Sequence, residues 1–173
     1  MKCIIRDLKR KLSAELACVR GSLVAVTAGV MLVLGLLFAI NGVDAELLSE
    51  LNYPVLSLPT VLFVLFFAVA LASLGLSLAC AISSPYRERG RAEKYVLIMY
   101  ICAAGLVLSW IPLACKAGAF FAAAVVAAVC GTICAVLYRG ASRAGRLCGI
   151  CLFVFALWVA YLVYLSASLF LIN

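Results

Sequence analysis

Five stretches of this chain contain no Asp, Glu, Lys or Arg: residues 21–43, 51–86, 95–115, 117–138 and 147–173. A hydrocarbon core about 30 Å thick takes roughly 20 apolar helical residues to cross, so each stretch is long enough to span a bilayer. The second is too long for one span. It opens LNYPVLSLP, where Pro54 and Pro59 lack an N–H and bias the residue before them away from helix. Proline suits a first helical turn, so the second span starts at Pro59. The expected spans are 22–40, 59–82, 95–114, 118–138 and 147–172. The runs are continuous, without the period-2 alternation of a membrane β-barrel. The expected fold class is an all-α integral membrane protein, a five-transmembrane-helix bundle. Residues 1–21 form a basic cytoplasmic leader and residues 22–173 the membrane domain.

The apolar set makes up 68% of the chain and charged residues only 12%, where a soluble domain runs about 45–50% and about 25%. That balance excludes a soluble enzyme, a disordered chain and a nucleic-acid binder. The net charge of +7 has another origin. Lys2, Arg6, Lys9, Arg10, Lys11 and Arg20 precede span 1. Arg87, Arg89, Arg91 and Lys94 lie between spans 2 and 3, and Arg139, Arg143 and Arg146 between spans 4 and 5. With five spans these all fall on one side, and Lys116 alone falls on the other, with Asp44, Glu46 and Glu50. Positive charge stays cytoplasmic, so the N-terminus is expected inside and the C-terminus outside, in what reads as a bacterial cell membrane.

The first apolar run, from Leu23 to Ile40, exceeds the roughly 7–15 residues of a signal peptide, so an uncleaved first span is expected. In the leader, Ile4, Ile5, Leu8, Leu12, Leu16 and Val19 recur at helical spacing opposite a basic face. Such a helix either lies on an anionic leaflet or extends span 1.

Candidate chemistry is sparse. There is no His, the commonest general base and metal ligand, and no span contains a charged side chain of the kind that ion-coupled pumps use. Neither catalytic nor metal-ligating residues are expected. Of nine cysteines, Cys148 and Cys151 form a CxxC, and Cys130 and Cys134 stand four apart. Neither pair completes a four-ligand set, and within spans Cys acts as a small apolar residue. Ala123, Ala127, Gly131 and Ala135 make a small-residue stripe on span 4 that admits close approach of another helix, either in this chain or in a homodimer partner.

The aromatic residues say more. With the orientation above, Phe63, Phe66 and Phe67 lie in the outer half of span 2, Trp110 near the outer end of span 3, and Trp158, Tyr161 and Ser166 from the middle of span 5 outward. They fit either an apolar pocket between helices or an interfacial aromatic belt. As a pocket, its walls are Phe63, Phe66, Phe67, Trp110, Leu113, Trp158, Leu162, Leu165 and Ser166. The segment 41–58 lies over it as a lid, with Asn52, Pro54, Ser57 and Pro59.

The order of these residues resembles the TspO/MBR family, which includes the translocator protein and the bacterial tryptophan-rich sensory proteins. The stretch YPVLSLPTVLFVLFFAVALASLGLSLA is similar to its second helix, with Pro54 and Pro59 at family prolines and Leu74-Gly75 at a Met-Gly pair. In YICAAGLVLSWIPL, Tyr100, Trp110 and Pro112 fall in register with the third helix, and Trp158 and Asn173 keep the spacing of the fifth. The chain also departs from the pattern. It has two tryptophans; Phe67 replaces a Trp, Ala103 and Val107 replace Gln and Asn, and Ser166 replaces Asn. Ala167 and Leu171 replace the Tyr and Arg of a cholesterol-recognition stretch. The resemblance implies a membrane receptor or translocator whose ligand is protoporphyrin IX, a haem-like tetrapyrrole or another small apolar aromatic molecule, with no required cofactor. It also leaves open a light-dependent porphyrin-degrading enzyme, though with Phe67 in place of an indole, or a structural membrane partner without ligand binding.

Overall fold

The computed structural model describes residues 21–42, 58–83 and 91–172. The leader 1–20, the segment 43–57 with Asn52, Pro54 and Ser57, and Asn173 lie outside the described residues. All the regular structure described is helical: α1 Gly21–Gly42, α2 Thr60–Ser83, α3 Arg91–Cys115, α4 Phe120–Ala144 and α5 Arg146–Ile172. Each of the five is long and apolar enough to cross a membrane. Exposed side chains such as Val26, Val30, Leu65, Ile101, Val129 and Leu157 coat the bundle with hydrocarbon. Only a lipid bilayer satisfies such a surface.

The helices form a ring in the order α1, α2, α5, α4, α3, with α3 closing on α1. Contacts along the ring fix their directions. Phe63 near the start of α2 meets Trp110 near the end of α3, and Phe121 at the start of α4 meets Phe170 at the end of α5. Thus α1, α3 and α5 run one way and α2 and α4 the other. The two ends of the bundle are called here the Pro59 end and the Arg146 end.

Lipid offers little hydrophobic drive for helix association, so close packing and interhelical hydrogen bonds must supply it. The α1–α2 contact shows how. A Cβ on Gly75 would stand 2.6 Å from the Thr27 carbonyl oxygen and 3.0 Å from Ala28 Cα. Backbone therefore meets backbone at a point only glycine allows. The small residues of α4 serve contacts within the chain: Ala123 and Ala127 are buried, and Gly131 faces Val159 of α5. The stripe does not continue, because Ala135 is exposed and the buried face drifts to Cys130, Cys134, Leu137 and Ala141. A 3.6-residue helix does not keep a strict four-residue repeat on one face.

Helix ends differ from the charge-based spans where backbone hydrogen bonding outruns hydrophobicity. α4 continues past residue 138 to Ala144, taking Arg139 and Arg143 into its last turns. Only Gly145 then separates it from α5. The α3–α4 turn is built on Gly118 at φ +60°, a left-handed conformation costly for other residues. Pro59 precedes α2, and its carbonyl accepts the Phe63 N–H at 2.9 Å.

Candidate ligand-binding site

Along α2 the buried positions Phe63, Phe67, Ala70, Leu74 and Ser77 follow the three- and four-residue steps of one helical face. The face points into the ring, which makes the phenyl rings of the first two turns interior. Phe63 is the hub. Its centroid lies 6.1 Å from Phe67, 5.9 Å from Trp110 and 5.4 Å from Trp158. Phe67 meets Trp158 edge-on at 6.3 Å. Tyr161 lies 5.2 Å from Trp158 on its other flank, and Phe66 stacks on Trp158 at 6.2 Å from the surface side. Offset and edge-to-face pairs of this kind each contribute about 0.5–1.5 kcal/mol beyond burial.

Three polar atoms punctuate the cluster, and they are treated differently. Trp110 Nε1 donates to Ser166 Oγ at 2.7 Å, and the Ser166 hydroxyl donates to the Leu162 carbonyl at 2.8 Å. The backbones of α3 and α5 scarcely approach one another, so this indole bridges the interior of the ring. The Leu58 N–H donates to the Tyr161 hydroxyl at 3.2 Å, tying the approach to α2 onto α5. Trp158 Nε1, by contrast, is buried and has no hydrogen-bond partner among the described residues.

The structure thus brings together Phe63, Phe66, Phe67, Trp110, Trp158 and Ser166 from the expected wall. Leu162 and Leu165 are buried beside them on α5, and Leu113 is half-buried near the end of α3. Pro59 is exposed. Tyr161 joins through its ring and hydroxyl, though sequence reasoning left it out of the wall. Its distance of three residues from Trp158 is the signal that places both on one face.

A second polar group lies toward the Arg146 end. The Ser77 hydroxyl donates to the Cys148 carbonyl at 3.0 Å, and the Cys148 thiol donates to the Ser77 carbonyl at 3.3 Å. The Tyr100 hydroxyl stands 2.8 Å from Ser77 Oγ. With the Ser77 proton already directed to Cys148, Tyr100 is the donor. All three side chains are buried and all three protons are used. This clasp joins α2, α3 and α5. It escaped sequence reasoning because its members are far apart in the chain. The available signal was Ser77 itself, a polar residue on the buried face of an apolar helix, which requires a partner.

The arrangement defines a class: a five-helix membrane bundle whose interior holds an aromatic cluster at one end and a saturated polar clasp at the other. The model of the TspO/MBR family matches residues 23–172, nearly the whole chain, and the protein belongs to that family. A search of curated proteins returned no match.

Proposed function

We propose that the protein is a receptor or translocator that takes a flat, apolar ring system of the porphyrin type into the aromatic cluster at the Pro59 end. The observation that carries this reading is Trp158. Its indole lies among Phe63, Phe66, Phe67 and Tyr161, and its buried Nε1 lacks a partner among the described residues. An unsatisfied buried donor costs about 1–3 kcal/mol. A ligand with an acceptor on its rim relieves that cost while its faces meet the rings. The rings touch one another, so a disc has to part them, and the ligand's stacking replaces contacts that the rings make among themselves. Membership of the TspO/MBR family supports a receptor or translocator role.

The distribution of basic residues supports an orientation with the Arg146 end cytoplasmic, the N-terminus inside and the C-terminus outside. Lys116, exposed in the α3–α4 turn, is then the cation on the outer side available to a porphyrin carboxylate. Asn52 and Ser57, with backbone N–H groups of the segment 41–58, are further polar partners in this reading. Ala103 and Val107, both buried, keep the interior apolar and favour neutral aromatic ligands as well.

Titration of the detergent-purified chain with protoporphyrin IX, read by tryptophan fluorescence, tests this. Saturable quenching is expected in the wild type and in Trp110→Phe, where Trp158 reports alone. Trp158→Phe should weaken affinity on the order of tenfold, the equivalent of one hydrogen bond of about 1.4 kcal/mol. Linear, unsaturable quenching in the wild type would refute the ligand reading.

A further inference from the structure

We infer that the ligand reaches the aromatic cluster sideways from the bilayer, through the seam between α2 and α5, and that Phe66 is the side chain whose turning opens it. The inference rests on the ligand reading above and adds a route and the residue that controls it. The route follows from how the five seams of the ring are closed; between α4 and α5, Gly131 packs against Val159, where a Cβ would stand 3.8 Å from that side chain.

Between α1 and α2, Gly75 lies against the Thr27 backbone with no room for a Cβ. Between α1 and α3, a Cβ on Gly42 would collide with Ile111. Between α3 and α4, the Cys130 thiol donates to the Ala103 carbonyl at 3.6 Å. On the α3 side of the cluster, Trp110 is only 1% exposed and is held by Ser166, whose hydroxyl is itself held by Leu162. Above Trp158, Tyr161 is tied to Leu58.

The α2–α5 seam at the level of Trp158 is closed differently. Its surface cover is Phe66, 45% exposed and stacked on Trp158. A phenyl group has no polar tether, and one facing lipid is free to exchange between the χ1 wells that a helix allows. Phe63 and Phe67 beneath it are 8% and 0% exposed and turn only if the core moves. Farther along the same seam, the reciprocal Ser77–Cys148 bonds pin α2 to α5. The two helices are therefore tied at the Arg146 end by the Ser77–Cys148 bonds and at the Pro59 end by the Leu58–Tyr161 bond, and between these ties, near Phe66, rings meet rings, so the seam parts there. The ligand chemistry that fits this route is a flat molecule that partitions into hydrocarbon and carries an acceptor for Trp158.

The test uses the full chain reconstituted in phosphatidylcholine vesicles, in a Trp110→Phe background so that Trp158 is the sole indole. Protoporphyrin IX loaded into the lipid is mixed by stopped flow, and association and dissociation rates are read from quenching. Phe66→Ala is expected to speed association on the order of tenfold, a barrier change of about 1.4 kcal/mol, and dissociation by at least as much, since the same ring also lines the site. Phe121→Ala, a lipid-facing aromatic on α4, is expected to leave both unchanged. Faster dissociation with association unmoved makes Phe66 a wall of the site and not its gate, and overturns the proposal, as do unmoved rates. A second measurement needs no porphyrin: phosphatidylcholine with brominated acyl chains should quench Trp158 more strongly in Phe66→Ala and not in Phe121→Ala. Equal quenching overturns the seam. Failure of the wild type to bind porphyrin removes the ligand reading, while the brominated-lipid result still decides the seam.

Discussion

The two interior groups of this bundle hold the same helices by opposite means. At the Arg146 end, Ser77, Tyr100 and Cys148 use every proton they carry on one another or on backbone. At the Pro59 end, four rings surround or flank Trp158 and Phe63, and one indole donor is left without a partner among the described residues. A saturated polar group in a low-dielectric interior is rigid and specific, because each bond lost exposes an unpaired atom. A ring cluster has no such directionality, and its contacts can be exchanged for those of another flat molecule. The first group is thus suited to fixing helix positions, and the second to being remodelled by a ligand.

Four substitutions would break or sharpen that contrast. The largest effect is expected at Gly75, two residues before Ser77. Gly75→Val drives a side chain into the Thr27 backbone and should cost about 3 kcal/mol, the upper part of the overpacking range, seen as a marked fall in Tm in detergent. Ser77→Ala comes next. It strips Tyr100 of its acceptor and Cys148 of a donor and should cost about 2 kcal/mol, while porphyrin affinity stays at the wild-type value. A loss of affinity equal to that of a Trp158 variant would erase the distinction between the two groups.

Ser166→Ala is expected to cost about 1 kcal/mol, since interhelical bonds in membranes average below that of a fully buried pair in water. Its clearer readout is Trp110 fluorescence in a Trp158→Phe background, where the emission should change once Nε1 loses its acceptor. Trp158→Phe should alter stability least, by under about 1 kcal/mol, because removing an unsatisfied donor offsets the smaller ring's lost packing. The same variant should show the large loss of porphyrin affinity. Stability and binding would then rank these sites in opposite orders.

Much of the architecture was legible because lipid imposes a one-dimensional rule. Charge-free runs such as 117–138 mark where a helix crosses, and no partner is needed to read them. The same rule misjudged where α4 stops, since Arg139 and Arg143 end the apolar run but not the backbone hydrogen bonding. The site was legible in part. Counting residues from the span ends put Phe63, Phe67 and Trp110 in one half of the membrane and Trp158 near its middle. Counting could not show that Trp110 finds Ser166 or that Trp158 Nε1 has no acceptor among the described residues, because both depend on side chains from helices that are distant in sequence.

The clasp lay further from reach. Ser77, Tyr100 and Cys148 belong to three helices, and nothing in their spacing along the chain relates them. The α1–α2 contact is similar: Gly75 is an unremarkable residue in an apolar run until Thr27 stands against it. The amino-acid sequence by itself determined five runs long and apolar enough to cross a membrane and put Phe63, Phe66 and Phe67 in one half of α2, because both follow from local hydrophobicity and the rise of a helix. Only the tertiary structure decided the ring order, which donors are satisfied and which seam is closed by a movable ring, because in lipid those outcomes are set by close packing and by pairwise hydrogen bonds between helices.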